Sequence, residues 1–101
     1  MITFQQGDLV FEVIKKLPKK IKKSASNVLA EDKKTGHKYE MIYDEVCIYE
    51  DVEGNKYLDL EHITDLVHPK YKTVRIFPGR YEVCRKRDYN PFRKRDYSFR
   101  D

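Results

Sequence analysis

Apolar residues in this chain recur mostly at every second position, in short runs broken by turn residues, and nowhere form a helical stripe sustained over three turns. A strand sends successive side chains to opposite faces, so this pattern can cover one face of a sheet but not one side of a helix. Asp8-Leu9-Val10-Phe11-Glu12-Val13-Ile14 is dense in β-formers and reads as a first strand; Asn27-Val28-Leu29-Ala30-Glu31 reads as a second. Asp32-Lys33-Lys34-Thr35-Gly36 has the polar, glycine-terminated composition of a hairpin loop. The returning strand runs from His37 to Tyr43, with Tyr39, Met41 and Tyr43 on one face and Lys38, Glu40 and Ile42 on the other. Val46 to Tyr49 and Lys56 to Leu60 flank a further hairpin signal at 51–55. Ile63 to Val67 reads as a short strand or turn, and the one place for a helical turn is near Leu60 to Leu66. Thr73 to Phe77 and Arg80 to Arg85 bracket Pro78-Gly79, a pair that presets one φ and frees the next. The expected fold is all-β: a small barrel or sandwich of about seven or eight short strands with a basic C-terminal extension.

A chain of 101 residues suits one domain. We place a β domain at 1–91, containing a lysine-rich loop at 15–24, and a basic, aromatic tail at 92–101. Pro18 excludes one continuous helix through the lysines, so a mobile loop is expected, with room for a short helical turn after Lys19. Cys47 and Cys84 lie far apart in apolar stretches with no ligand-like spacing, which predicts buried free thiols. A disulfide stays open if their strands prove to be neighbours. Met1 to Gln6 lacks the basic flank and apolar run of a signal peptide. The longest uninterrupted apolar run, Val46 to Tyr49, is far too short for a bilayer, so a cytoplasmic chain with no membrane partner is expected.

Charge is distributed in blocks. Residues 1–23 carry a surplus of four positive charges, residues 24–79 a deficit of four, and residues 80–101 a surplus of four. The last block nearly repeats itself, as Arg85-Lys86-Arg87-Asp88-Tyr89 and Arg93-Lys94-Arg95-Asp96-Tyr97, with Phe92 and Phe99 following the two copies. Two basic ends flanking an acidic middle predict a polyanionic or acidic partner, and the ends would form one positive face if the fold joins them.

Seven short motifs recur in a fixed order: Gly7-Asp8, Leu17-Pro18, Val28-Leu29-Ala30-Glu31, Thr35-Gly36-His37, Leu66-Val67-His68-Pro69, Pro78-Gly79-Arg80-Tyr81-Glu82-Val83 and Arg87-Asp88-Tyr89-Asn90-Pro91. In this order and spacing, from about Gln6 to Pro91, the chain resembles a group of short uncharacterised proteins of bacteria and phages. The resemblance implies a compact β domain and viral or mobile-element company, and carries no activity with it. Relatives in that group tend to hold further histidines where this chain has Tyr39 and Tyr71. A paired-histidine metal site would lose half its ligands by that change.

The histidines here are His37, His62 and His68. A barrel could bring His37 and His68 together, with Glu40 or Glu61 as a carboxylate ligand, but there is no HxH or HExxH spacing to demand it. Ser24, Ser26, Ser98 and the two cysteines have no histidine placed as a neighbouring base, and the four glycines stand singly rather than as a phosphate loop. No catalytic residue, metal ligand or cofactor is therefore assigned. The expected role is non-enzymatic binding of nucleic acid or nucleotide phosphates. Lys19, Lys20, Lys22, Lys23, Arg85, Lys86, Arg87, Arg93, Lys94 and Arg95 would meet phosphates, and Tyr89 and Tyr97 would stack on bases. The alternative is a protein-interaction module whose tail docks on a partner or on a sister subunit of a homo-oligomer, including inhibition of a host defence enzyme.

Overall fold

The alternating runs become strands wherever a turn residue lets the chain reverse. The computed structural model describes residues 2–42, 45 and 47–90, and contains ten strands. These are β1 (Phe4–Gln6), β2 (Leu9–Val13), β3 (Ile21–Lys23), β4 (Val28–Glu31), β5 (Lys38–Ile42), β6 (Ile48–Asp51), β7 (Lys56–Leu60), β8 (Thr64–Val67), β9 (Val74–Ile76) and β10 (Gly79–Arg85). A 3₁₀ turn follows at Lys86–Asp88. They form two antiparallel sheets, of order β1-β2-β10-β7-β6-β3 and β4-β5-β8-β9. The protein is thus all-β, as its periodicity predicts. The strands that pattern did not show, β1 and β3, have three residues each, too few to display an alternation.

The two sheets face one another across a core that includes Phe11, Leu29, Tyr39, Met41, Ile48, Leu58, Leu66, Ile76 and Tyr81. Alternation along β5 follows the expected faces, with Tyr39 and Met41 buried and Lys38, Glu40 and Ile42 exposed. A bulge between Val28 and Ala30 inserts Leu29 as an extra residue on β4 and puts its side chain in the core. One long edge is joined covalently, because β3 runs on through 24–27 into β4. The other is joined by Gln6, whose buried amide donates to the carbonyls of Leu66 at 2.9 Å and Lys72 at 2.8 Å. One side chain on β1 thereby ties the large sheet to the small one.

Two local expectations are corrected. The segment expected to hold a helical turn near Leu60 to Leu66 contains the end of β7 and the start of β8, because Thr64 and Leu66 pair with β9 and fill the core. Pro78-Gly79 stands between two strands, as its turn signal predicts, and those strands belong to different sheets. β9 pairs with β8 in the small sheet, while β10 pairs with β2 and β7 in the large one, so the pair turns the chain from one sheet into the other. The Tyr81 hydroxyl donates to the Phe77 carbonyl at 2.6 Å and fixes that corner.

The second correction concerns the lysine-rich loop. It contains β3, which pairs with β6 through Ile21↔Asp51 and Lys23↔Tyr49. β2 and β3 lie four strand spacings apart, about 19 Å, and run in the same direction. The eight residue steps from Val13 to Ile21 reach about 28 Å at most, so the crossover has little slack over the outer face. Tyr57, whose register places it on that face, is buried, and Leu17 and Pro18 are half-buried, as a crossover lying on the sheet requires.

Cys47 and Cys84 are both free; Cys47 is buried, which pushes its thiol up to about 11, and Cys84 is half-buried. β6 and β10 are separated by β7, so a disulfide between these cysteines has no neighbouring-strand geometry to use.

Candidate functional site

The turn Gly7-Asp8, the β4–β5 loop, the β8–β9 loop and the end of β10 come together at one end of the molecule. Gly7 is the first central residue of the two-residue turn between β1 and β2, with φ of 55°. A Cβ there would stand 2.2 Å from Cε2 of Tyr71 and 2.8 Å from the Tyr39 hydroxyl. The turn therefore lies flat on two aromatic rings, which only glycine permits. The Asp8 amide donates to the Tyr39 hydroxyl at 3.2 Å.

Behind the turn, His68 is fully enclosed at the side chain. Its ring centroid lies 4.4 Å from that of Tyr39, 4.6 Å from Tyr71 and 5.5 Å from His37. The four positions singled out by the resemblance, two histidines and two tyrosines, thus form one cluster. The carboxylate beside His68 is Asp32. Glu40 points outward from β5, and Glu61 and His62 lie before β8, at its opposite end. Among the described residues no group of three or more His, Cys, Asp or Glu side chains is placed to hold a metal ion.

The hydrogen bonds of His68 define its role. The Lys70 amide donates to Nδ1 at 3.0 Å, so Nδ1 must present a lone pair. The proton then sits on Nε2, which donates to Asp32 Oδ2 at 2.9 Å. Both ring nitrogens are occupied within the fold. The hydrogen bond from His68 holds the Asp32 carboxyl below its ordinary range; Arg85 adds to this, and burial opposes it. Arg85 Nη1 lies 3.2 Å from Asp8 Oδ2 and 3.4 Å from Asp32 Oδ1, and Nη2 donates to the Glu31 carbonyl at 2.9 Å. One guanidinium joins the β1–β2 turn to the end of β4, a planar, multi-donor task that lysine cannot perform.

In front of this network lies a cleft of about 530 Å³, lined by Asp8, Asp32, Lys33, Lys34, Thr35, His37, Lys70, Tyr71, Arg85 and Arg87. Its two carboxylates are both engaged by Arg85. Lys33, Lys34 and Lys70 make no ion pair among the described residues, and Arg87 meets only its neighbour Asp88, at 3.9 Å. Buried Nδ1 of His37 has no hydrogen-bond partner there either. The cleft is therefore net positive, with a half-exposed tyrosine ring in its wall.

The residues expected to bind are distributed in three ways. Arg85 and Arg87 line the cleft, the first committed to the internal network. Lys86 is exposed and Tyr89 half-buried in the segment that follows β10. Lys19 and Lys20 end the crossover and Lys22 and Lys23 lie on β3, all exposed at the far edge of the large sheet. Arg93, Lys94, Arg95 and Tyr97 fall outside the described residues, as do Tyr43 and Val46. β2 and β10 are neighbours, but β2 carries no lysine, and β7 and β6 separate β10 from Lys22 and Lys23 on β3, so the two basic clusters lie apart on the large sheet. Sequence reasoning passed over Lys33, Lys34 and Lys70. Their signal was local: a lysine pair inside a hairpin loop, and a lysine just after His68-Pro69.

No helix among the described residues is long and apolar enough to cross a membrane. No curated protein and no solved structure matches the chain. A family profile described as a domain of unknown function, DUF8820, matches residues 5–86, a span that includes Gly7, Asp32, His37, Tyr39, His68, Tyr71 and Arg85. The cleft and the network behind it therefore lie within the matched domain, and the chain belongs to the DUF8820 family.

Proposed function

We propose that this protein acts by binding, and that its ligand is a phosphate-bearing one: single-stranded nucleic acid or a nucleotide held in the basic cleft. One observation carries the reading. Both carboxylates of the cleft are engaged from within by Arg85, while among the described residues the ammonium groups of Lys33, Lys34 and Lys70 have no ion-pair partner, so cations outnumber carboxylates in its lining. Such a concavity concentrates anions, and its volume suits a nucleotide-sized group. Tyr71 supplies a half-exposed ring for stacking. Both nitrogens of His68 are engaged in the fold, which favours binding over acid–base chemistry at that residue. Lys86, Arg87 and Tyr89, with Arg93, Lys94, Arg95 and Tyr97 beyond them, extend the reading along the strand, and Lys19 to Lys23 add non-specific attraction. The order of the seven motifs supports a place among bacterial and phage proteins within the same proposal.

The test is a titration of labelled single-stranded RNA, duplex DNA and a mononucleotide across a salt series. The expected result is a log–log salt slope of about three or more for the polymer, reduced by about one unit for each of Lys33→Glu and Lys70→Glu. Absence of binding to all three probes at low salt would refute the proposal. Truncation after Pro91 separates an arm from the cleft: an arm that carries binding takes the salt slope with it.

A further inference from the structure

The end of the molecule opposite the cleft has a different chemistry. The registers Tyr81↔Val13, Gly79↔Leu60, Thr64↔Ile76 and Ile42↔Asp65 place the end of β2, the end of β5, the start of β8 and the β9–β10 corner together there. Four large apolar side chains at this end are open to solvent: Val13 (56%), Ile42 (61%), Ile63 (51%) and Phe77 (61%). Among the described residues the remaining exposed large hydrophobic one, Val52, is in the β6–β7 turn at the cleft end. Scattered exposed apolar residues are ordinary, but four gathered on one end of a small domain mark an interaction face. By extension of the β8–β9 register, Ile63 and Phe77 stand opposite one another, with Ile42 on the adjoining strand.

We infer that this end is a self-association face that takes a second copy of the chain, related by a two-fold axis. Two features favour a copy over another occupant. The first is shape: a shallow depression of about 400 Å³, lined by Val13, Ile14, Lys15, Asp59, Leu60, Gly79 and Arg80, begins two residues beyond the exposed Phe77. The face thus carries both a knob and a recess, as an isologous contact requires. The second is charge: both signs are exposed at this end, in Lys15, Glu45 and Glu61, while Arg80 pairs with Asp59 at 3.6 Å, so a rotated copy can present opposite charges. An anionic partner would call for one sign. In the dimer the two basic clefts face away from one another. This inference does not depend on what the clefts bind.

Sedimentation equilibrium of the full chain over a range of concentrations tests it. Wild-type protein should reach the dimer mass with a Kd on the order of 1–100 μM. Phe77→Glu should weaken association by about tenfold or more, because a hydrated carboxylate replaces the apolar ring that fills the recess. Val52→Glu, at the other end, should leave association unchanged. Ile63→Glu serves as a second variant should Phe77→Glu fail to fold by circular dichroism. A wild-type chain that remains monomeric on the order of 0.5 mM overturns the inference. So does a dimer that neither Phe77→Glu nor Ile63→Glu weakens, or that Val52→Glu disrupts equally.

Discussion

Replacing Gly7 with alanine tests whether the turn and the aromatic cluster form one unit. The backbone there has φ of 55°, where an L-residue carries a penalty of about 1–2 kcal/mol. The added methyl would also sit 2.2 Å and 2.5 Å from two carbons of Tyr71 and 2.8 Å from the Tyr39 hydroxyl. Neither ring is free to retreat, since Tyr71 packs on His68 and Tyr39 is buried in the core. Overpacking of this kind typically costs about 1–3 kcal/mol. The sum, about 2–5 kcal/mol, is a large part of the roughly 5–15 kcal/mol expected for such a domain. Urea unfolding followed by circular dichroism, with Gly7→Ala, Tyr71→Ala and the double variant, measures both the cost and its origin. The two changes should be non-additive, because removing the Tyr71 ring opens space for the methyl while the backbone penalty remains. A loss under about 1 kcal/mol, or strict additivity, would refute the idea that the turn is held against these rings.

Asp32→Asn should lower stability in a pH-dependent way. The native carboxyl is held below its ordinary value, so its stabilisation is complete above about pH 4 and fades as pH falls through the lowered native value. Urea midpoints of wild type and variant should therefore differ at neutral pH and converge in acid; a gap that widens below pH 4 would contradict the His68–Asp32 geometry. Gln6→Leu keeps an apolar contact but deprives the Leu66 and Lys72 carbonyls of their donor, and should cost about 2 kcal/mol in the same assay.

The β4–β5 loop shows how much of this site the linear chain reveals. Asp32 to Gly36 reads as a hairpin because turn formation is local: a glycine and polar residues suffice to reverse the backbone. That the loop delivers Asp32 to His68 is not local, since 36 residues separate them and their meeting depends on β5 pairing with β8. The same holds for Arg85, which reads in the chain as one member of a basic run. Its partners Asp8, Glu31 and Asp32 reach it only because β10 lies beside β2 and β4 ends near both. The cleft lysines were overlooked for a related reason: Lys33, Lys34 and Lys70 are few and scattered in sequence, whereas the denser cluster at 15–23 drew attention to the far edge of the large sheet.

Alternation, turn residues and charge blocks were enough to determine an all-β domain, the faces of β5, and the hairpins at 32–36 and 51–55. These depend on interactions between near neighbours, whose geometry the backbone imposes at short range. Which sheet each strand joins, the crossing at Pro78-Gly79, the taut crossover from β2 to β3 and the two unlike ends of the molecule were decided only by tertiary structure. Pairing between distant strands is settled by the burial of a shared core, and one short apolar run resembles another until that core assembles.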